Sequence, residues 1–304
     1  MSAPPTRLVA RPGPADLALL GVAVVGVSAS APIIVAAAAP ALAIALWRNV
    51  LGSVVLLPWS LVRSPGEIRR LTGRERRLVL AAGLALAAHF ATWVPSVTLT
   101  TVASAVALGS TAPVWNALIA RAQGQAVPGR AWAGISLSLL GVLLLTGIDV
   151  TVSRQALLGD LLALAGGFFA AVYVALGGEV RRTVSTGTYS ALCYLVCSAV
   201  LLPVCLVAGA ALGGYDARTW VLLVALTVTA QLLGHTLFNA VVGRVGPLVV
   251  ALAVLLEAPG AAVIAALWLG QVPPAAALPA ALLVVLGVAL VVTARAPEAA
   301  EPAA

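Results

Sequence analysis

The chain has 304 residues, of which 62% are hydrophobic and only 9% charged. Soluble domains carry about 25% charged residues, and so few charges cannot cover a water-exposed surface. An ordinary cytosolic enzyme, a nucleic-acid binder and a disordered chain are therefore excluded, and a polytopic membrane protein remains.

A bilayer-crossing helix needs about 20 apolar residues, and the chain holds ten such runs. Residues 1–16 form a polar, Pro-rich tail with Arg7 and Arg11. The first apolar run follows without a convincing cleavage site, so it is expected to be the first span. Charged, Gly and Pro interruptions place spans near 17–38, 41–62, 78–98, 101–120, 131–148, 156–177, 188–210, 219–241, 247–268 and 275–294. These runs are too long for membrane strands and lack their alternation. Helices satisfy their own backbone groups in lipid, so the expected fold is an all-α membrane bundle.

All 17 basic residues are Arg, and they lie between apolar blocks, so the net charge of +7 is no nucleic-acid signal. With a cytoplasmic N-terminus, the inside segments carry Arg7, Arg11, Arg63, Arg69, Arg70, Arg74, Arg76, Arg77, Arg121, Arg130, Arg181, Arg182, Arg244 and Arg295. Only Arg154 and Arg218 face outside, and Arg48 lies within a span. That bias predicts both termini inside. The loop from Arg63 to Arg77 is read as topogenic, with contact to anionic membrane lipid in addition. Asp149, Asp160 and Asp216 fall near outside ends and are expected to be solvated.

The two halves repeat each other. Ala112-Pro113, Gly124-Gln125 and Leu140-Gly141-Val142 recur 146 positions later as Ala258-Pro259, Gly270-Gln271 and Leu286-Gly287-Val288. The two histidines, His89 and His235, have the same separation. Each half holds five spans, and five is odd, so the second copy is expected to enter the membrane the opposite way round, as in transporters. The chain then divides into a tail (1–16), a first five-helix repeat (17–148), a connection (149–155), a second repeat (156–294) and a tail (295–304).

Ionisable groups inside a bilayer cost about 2.5–3.5 kcal/mol each on insertion scales and usually face a cavity or a partner. Glu257 lies halfway along the ninth span, before Ala258-Pro259, and reads either as a proton- or substrate-responsive carboxylate or as a packing polar group. Its repeat equivalent is Thr111. Arg48 in the second span either holds a substrate anion or pairs with Glu257, or else snorkels outward beside Trp47. His235 shares a helical face with Gln231 and Asn239, at i−4 and i+4, either lining a cavity or joining helices. His89 and Trp93 form an i,i+4 pair suited to stacking on a substrate or to packing. Trp115 and Asn116, after Pro113, are further lining candidates, and Tyr173 and Tyr194 are weaker ones, since an aromatic within a span is more often a packing or interface residue. Cys193, Cys197 and Cys205 fit neither a disulfide framework nor a zinc site and read as core thiols. No metal motif, nucleotide loop or nucleophile–base pair is apparent, so no cofactor and no enzymatic activity are expected.

Several stretches resemble the EamA-like branch of the drug/metabolite transporter superfamily. They are Leu46-Trp47-Arg48-Asn49, Thr111-Ala112-Pro113-Val114, Gly159-Asp160-Leu161-Leu162-Ala163-Leu164, Leu233-Gly234-His235-Thr236-Leu237-Phe238-Asn239 and Leu255-Leu256-Glu257-Ala258-Pro259. Where the family often has Gly-Glu after spans four and nine, this chain has Gly-Gln, so an expected carboxylate there does not transfer. The resemblance implies ten spans made of two EamA repeats, in a bacterial cytoplasmic membrane. It implies a secondary transporter exporting a small metabolite, amino-acid-like or amphipathic, by alternating access and with protons as the coupling ion. The rival functions are a membrane-embedded lipid-modifying enzyme and a non-transporting scaffold.

Overall fold

A computed structural model describes residues 12–100, 105, 108–146, 153–269 and 277–293. The expectations for Arg7, Arg11, Asp149, Gly270-Gln271 and Arg295, and for most of both tails, lie outside these residues. Every regular element described is helical. The helices are α1 (Pro14–Ser28), α2 (Ser30–Ala36), α3 (Ala41–Arg63), α4 (Glu67–Arg70), α5 (Gly73–Leu99), α6 (Ala112–Ala122) and α7 (Gly129–Thr146). Then follow α8 (Arg154–Val180), α9 (Thr186–Val207), α10 (Ala217–Leu226), a π-helical segment (Thr227–His235), α11 (Thr236–Val245), α12 (Pro247–Val254), α13 (Glu257–Leu269) and α14 (Ala277–Val292).

Seven runs among the described residues are long and apolar enough to cross a membrane. They are Pro14–Ala36, Ala41–Arg63, Gly73–Leu99, Arg154–Val180, Thr186–Val207, Ala217–Val245 and Pro247–Trp268. At 1.5 Å per residue, 22 residues rise about 33 Å, enough for the hydrocarbon core. Two shorter apolar helices, Gly129–Leu144 and Leu278–Val291, fall where spans five and ten were expected. Part of the expected fourth span, 101–104 and 106–107, lies outside the described residues.

Capping chemistry moves one expected boundary. The third span was expected from 78, but α5 begins at Gly73. The Thr72 hydroxyl accepts from the Glu75 amide at 3.2 Å, while Glu75 accepts from the Thr72 amide at 2.8 Å. This reciprocal cap satisfies two orphan donors, so the helix starts inside the Arg-rich loop. A second expectation is corrected at Asp160. It is only partly exposed and accepts from the Thr100 hydroxyl at 2.8 Å, because α5 packs along α8.

The helices pair in a regular way. α3 packs on α9, α5 on α8 and α9, α1 on the π-helical segment and α11, and α7 on α14. In the α7–α14 crossing, a Cβ added to Gly134 would stand 2.5 Å from the Gly287 carbonyl oxygen. One added to Gly141 would stand 2.7 Å from the Ala280 carbonyl oxygen. Between these contacts Ser138 donates to the Val284 carbonyl at 3.3 Å. As the chain advances on α7 it recedes on α14, so the two helices run antiparallel.

One end of the bundle is held by polar links between helix termini. Arg244 at the end of α11 pairs with Asp16 at the start of α1. Arg74 at the start of α5 pairs with Glu179 at the end of α8, at 3.2 Å. Glu67, just past α3, accepts from the Ser185 amide at 2.8 Å and from the Ser185 and Thr188 hydroxyls at the start of α9. Burial pushes the Glu67 carboxyl up, but the hydrogen bonds from Ser185 and Thr188 together outweigh it, and with Arg181 they hold it below its usual 4.5. A depressed folded-state value contributes stability that is present above the unfolded value and lost as pH falls through the folded one. Glu67→Gln is therefore expected to cost about 1 kcal/mol at neutral pH, an ionic hydrogen-bond contribution discounted for solvent exposure. That difference should shrink as pH falls below 4.5 and vanish once pH is below the folded-state value, in melting curves of detergent-solubilised protein.

Candidate functional site

The site forms where helices are interrupted. The ninth apolar run breaks at Leu255–Leu256 between α12 and α13, and a turn at Ser110–Thr111 precedes α6. Leu256 and Ser110 are 146 positions apart, so both breaks occupy the same place in the repeat. Pro259 and Pro113, three residues beyond these positions, each lack a backbone donor, which is tolerated in the first turn of a helix and disfavours a continuous one. The first run is also interrupted, at Ala29 between α1 and α2.

A cavity of about 100 Å³ lies between these breaks and the long helices. Its lining includes Arg48, His89, Trp93, His235, Asn239 and Glu257. Six of the ten candidate residues thus converge from α3, α5, the π-helical segment, α11 and α13. Glu257 sits in the first turn of α13, partly buried. Ser110 beside the other break also lines the cavity.

Arg48 is 1% exposed. Its Nε donates to Gln231 Oε1 at 2.8 Å, and its guanidinium carbon lies 4.4 Å from the centre of the Phe90 ring. Nη2 is buried and has no hydrogen-bond partner. This placement excludes snorkelling to the outer surface. Arg48 and Glu257 face one cavity but form no ion pair, since the described ion pairs are Arg74–Glu179 and Arg244–Asp16. Further aromatic rings surround Phe90. His89 stacks on Trp93 with ring centres 6.0 Å apart and planes 14° apart. His235 meets Phe90 edge-on at 5.5 Å. His89 Nδ1 lies 2.9 Å from the Gly166 carbonyl oxygen, where a protonated Nδ1 donates.

Four candidates stand elsewhere. Gln231 is fully buried and does not line the cavity. The expected stripe with His235 and Asn239 assumes α-helical phase, and the π-helical turn changes it. Gln231 instead bridges Arg48 and Asn49, donating to Asn49 Oδ1 at 3.0 Å. Its carbonyl accepts from the Thr236 amide and hydroxyl and from the Tyr194 hydroxyl. Thr111 turns back to the Leu108 carbonyl at 2.7 Å and accepts from Trp115 Nε1 at 3.2 Å. Trp115 packs edge-on against Phe168. Asn116 lines a smaller cavity of about 30 Å³ with Gln123, Gln125 and Glu179.

Tyr173, a weaker candidate, lines the main cavity and accepts a hydrogen bond from Asn239 Nδ2 at 2.5 Å. Phe90 was not singled out in the sequence, where an aromatic residue in an apolar run carries no signal of its own. Only its neighbour His89 marks the place.

No curated protein matches this chain. In fold it is similar to a protein of known crystal structure, at 17% identity and a TM-score of 0.77, over 91% of this chain and 96% of the other. At that identity the likeness concerns fold alone. The model of the EamA-like transporter family matches twice, over residues 15–147 and again over 157–293. Two matched units and several helices long and apolar enough to cross a membrane agree, and the chain belongs to the EamA-like transporter family of drug/metabolite transporters.

Proposed function

We propose that this chain is a ten-span secondary transporter of two inverted five-helix repeats, exporting a small metabolite from a bacterial cytoplasm by alternating access coupled to protons. Both termini are cytoplasmic, and the Arg-rich end of the bundle faces inward. The observation that carries the proposal is the shared cavity of Arg48, His89, His235 and Glu257 at two equivalent helix breaks. Discontinuous helices at a repeat interface are where such transporters bind their substrates.

Helix directions support the inversion. α1, α5 and α9 begin at the linked end, while α3, α8 and α11 finish there. Repeat equivalents therefore run oppositely, spans one against six, two against seven and three against eight. The α7–α14 contacts fit the same relation. Shifting Gly134–Gly287 by 146 positions in the two senses gives Ala280–Gly141, which is the other close contact. Ser138–Val284 maps onto itself, as a pair on a two-fold axis does. In this scheme Glu257 binds and releases the coupling proton, His89 and Trp93 position the substrate, and Asn239 is fixed by Tyr173.

Counterflow of labelled amino acids and small amphipathic compounds in proteoliposomes tests the function, and an imposed pH gradient tests the coupling. Wild-type flux is expected to follow the gradient, and Glu257→Gln flux to lose that response. A Glu257→Gln protein with the parental pH response would remove Glu257 from coupling. A chemical product without counterflow would favour an enzyme.

A further inference from the structure

The main cavity already holds one side of a salt bridge. Arg48 keeps its charge at any working pH. Its guanidinium is fixed at one edge by Gln231 and on one face by Phe90, which leaves Nη2 buried and without an acceptor. Glu257 shares the cavity without pairing to it. A planar guanidinium with free donor capacity is best matched by a carboxylate, whose two oxygens complement its geometry.

The rest of the lining limits the body that carries that carboxylate. Phe90, Trp93, His89 and His235 present rings to the same space, with Val27, Val250 and Val254 around them. The cavity, at about 100 Å³, is smaller than one of about 150 Å³ that takes up benzene, so it accepts only a small, flat body, partly held at its mouth, and no bulky amphipath.

Resting on the transport function proposed above, we propose that the substrate is a small carboxylate on a flat, mainly apolar body, anchored by the guanidinium of Arg48 through its unpartnered Nη2. In its acid form Glu257 is a second donor toward the same anion. Arg48 thereby sets specificity for charge, and the rings set specificity for shape.

Benzoate, benzyl alcohol and benzylamine form a charge ladder on one ring and test the inference on the unmodified protein. In lipid nanodiscs, calorimetry is expected to show benzoate binding at least about tenfold more tightly than either of the others. Arg48→Lys, which keeps the charge but loses the fork, is expected to weaken benzoate by about tenfold while leaving benzyl alcohol unchanged. Equal binding of all three, preference for benzylamine, or no benzoate binding in the millimolar range overturns the inference. Counterflow separates it from the transport function. Exchange of cationic or neutral compounds without benzoate binding leaves transport standing and removes the anion site. Benzoate binding without exchange of any compound leaves the site and removes transport.

Discussion

Gly134→Leu is expected to destabilise the protein by about 3 kcal/mol or more, at the upper end of overpacking costs. A single added carbon at that position would already lie 2.5 Å from both the Gly287 carbonyl oxygen and Val291. Backbone cannot rotate away as a flexible side chain does, so the α7 and α14 axes must separate. Separation also breaks the Ser138–Val284 hydrogen bond and opens the contact of Gly141 with Ala280. In lipid there is little hydrophobic force to restore such an interface, which depends on close packing of small residues. Gly21 supplies the contrast. It also lies in a helix, α1, but nothing stands within 4 Å of an added Cβ. Gly21→Ala should be neutral or stabilising by up to about 1 kcal/mol, the helix-propensity gain. Melting of both variants in detergent checks the pair, and similar midpoints would mean that the crossing is not close-packed. Gly134→Ala with Gly287→Ala should cost less than the sum of the single changes, because one separation of the axes accommodates both methyl groups.

Composition and hydropathy made the membrane class legible, since they report directly on the solvent that surrounds the helices. The repeat was legible for a different reason. Pro113 and Pro259, or His89 and His235, are rare residue types in an Ala- and Leu-rich chain, and their common separation survives the surrounding drift. Boundaries were less legible. The α5 start at Gly73 depends on a Thr72–Glu75 cap, and a window of hydropathy discounts the three arginines that follow it.

The cavity was legible where charge marked it and obscure where shape decided it. Glu257, Arg48 and the histidines are expensive in lipid and announce themselves. Tyr173 and Phe90 look like any buried aromatic until partners from α11 and α3 are placed beside them. Of the two readings open for Gln231, it takes the helix-joining one and not the lining one, because an i,i+4 stripe presumes 3.6 residues per turn. Thr227 and Thr229 turn their hydroxyls back to Leu223 and Ala225 at 2.8 Å, inside the stretch where the helix widens. A π-helical segment has no periodic signature from which its phase can be read in advance.

Gln231→Leu is expected to abolish transport and to lower stability by about 3 kcal/mol, although Gln231 lies outside the cavity. The substitution keeps side-chain volume and removes the acceptor that holds Arg48 Nε at 2.8 Å. It also removes the donor to Asn49 Oδ1. A guanidinium already lacking a partner at Nη2 would then have lost a second one at a buried position. Leaving a buried charge uncompensated costs more than replacing the whole cluster by apolar groups. Adding Arg48→Met to Gln231→Leu should therefore recover much of the lost stability, with Asn49 Oδ1 still lacking its Gln231 donor, and recover none of the transport. Melting midpoints and counterflow measured on both single variants and the double variant form one cycle. If the double variant melts lower than Gln231→Leu alone, Gln231 is not compensating the Arg48 charge. If Gln231→Leu retains counterflow, the orientation that Gln231 imposes on Arg48 is not needed for transport.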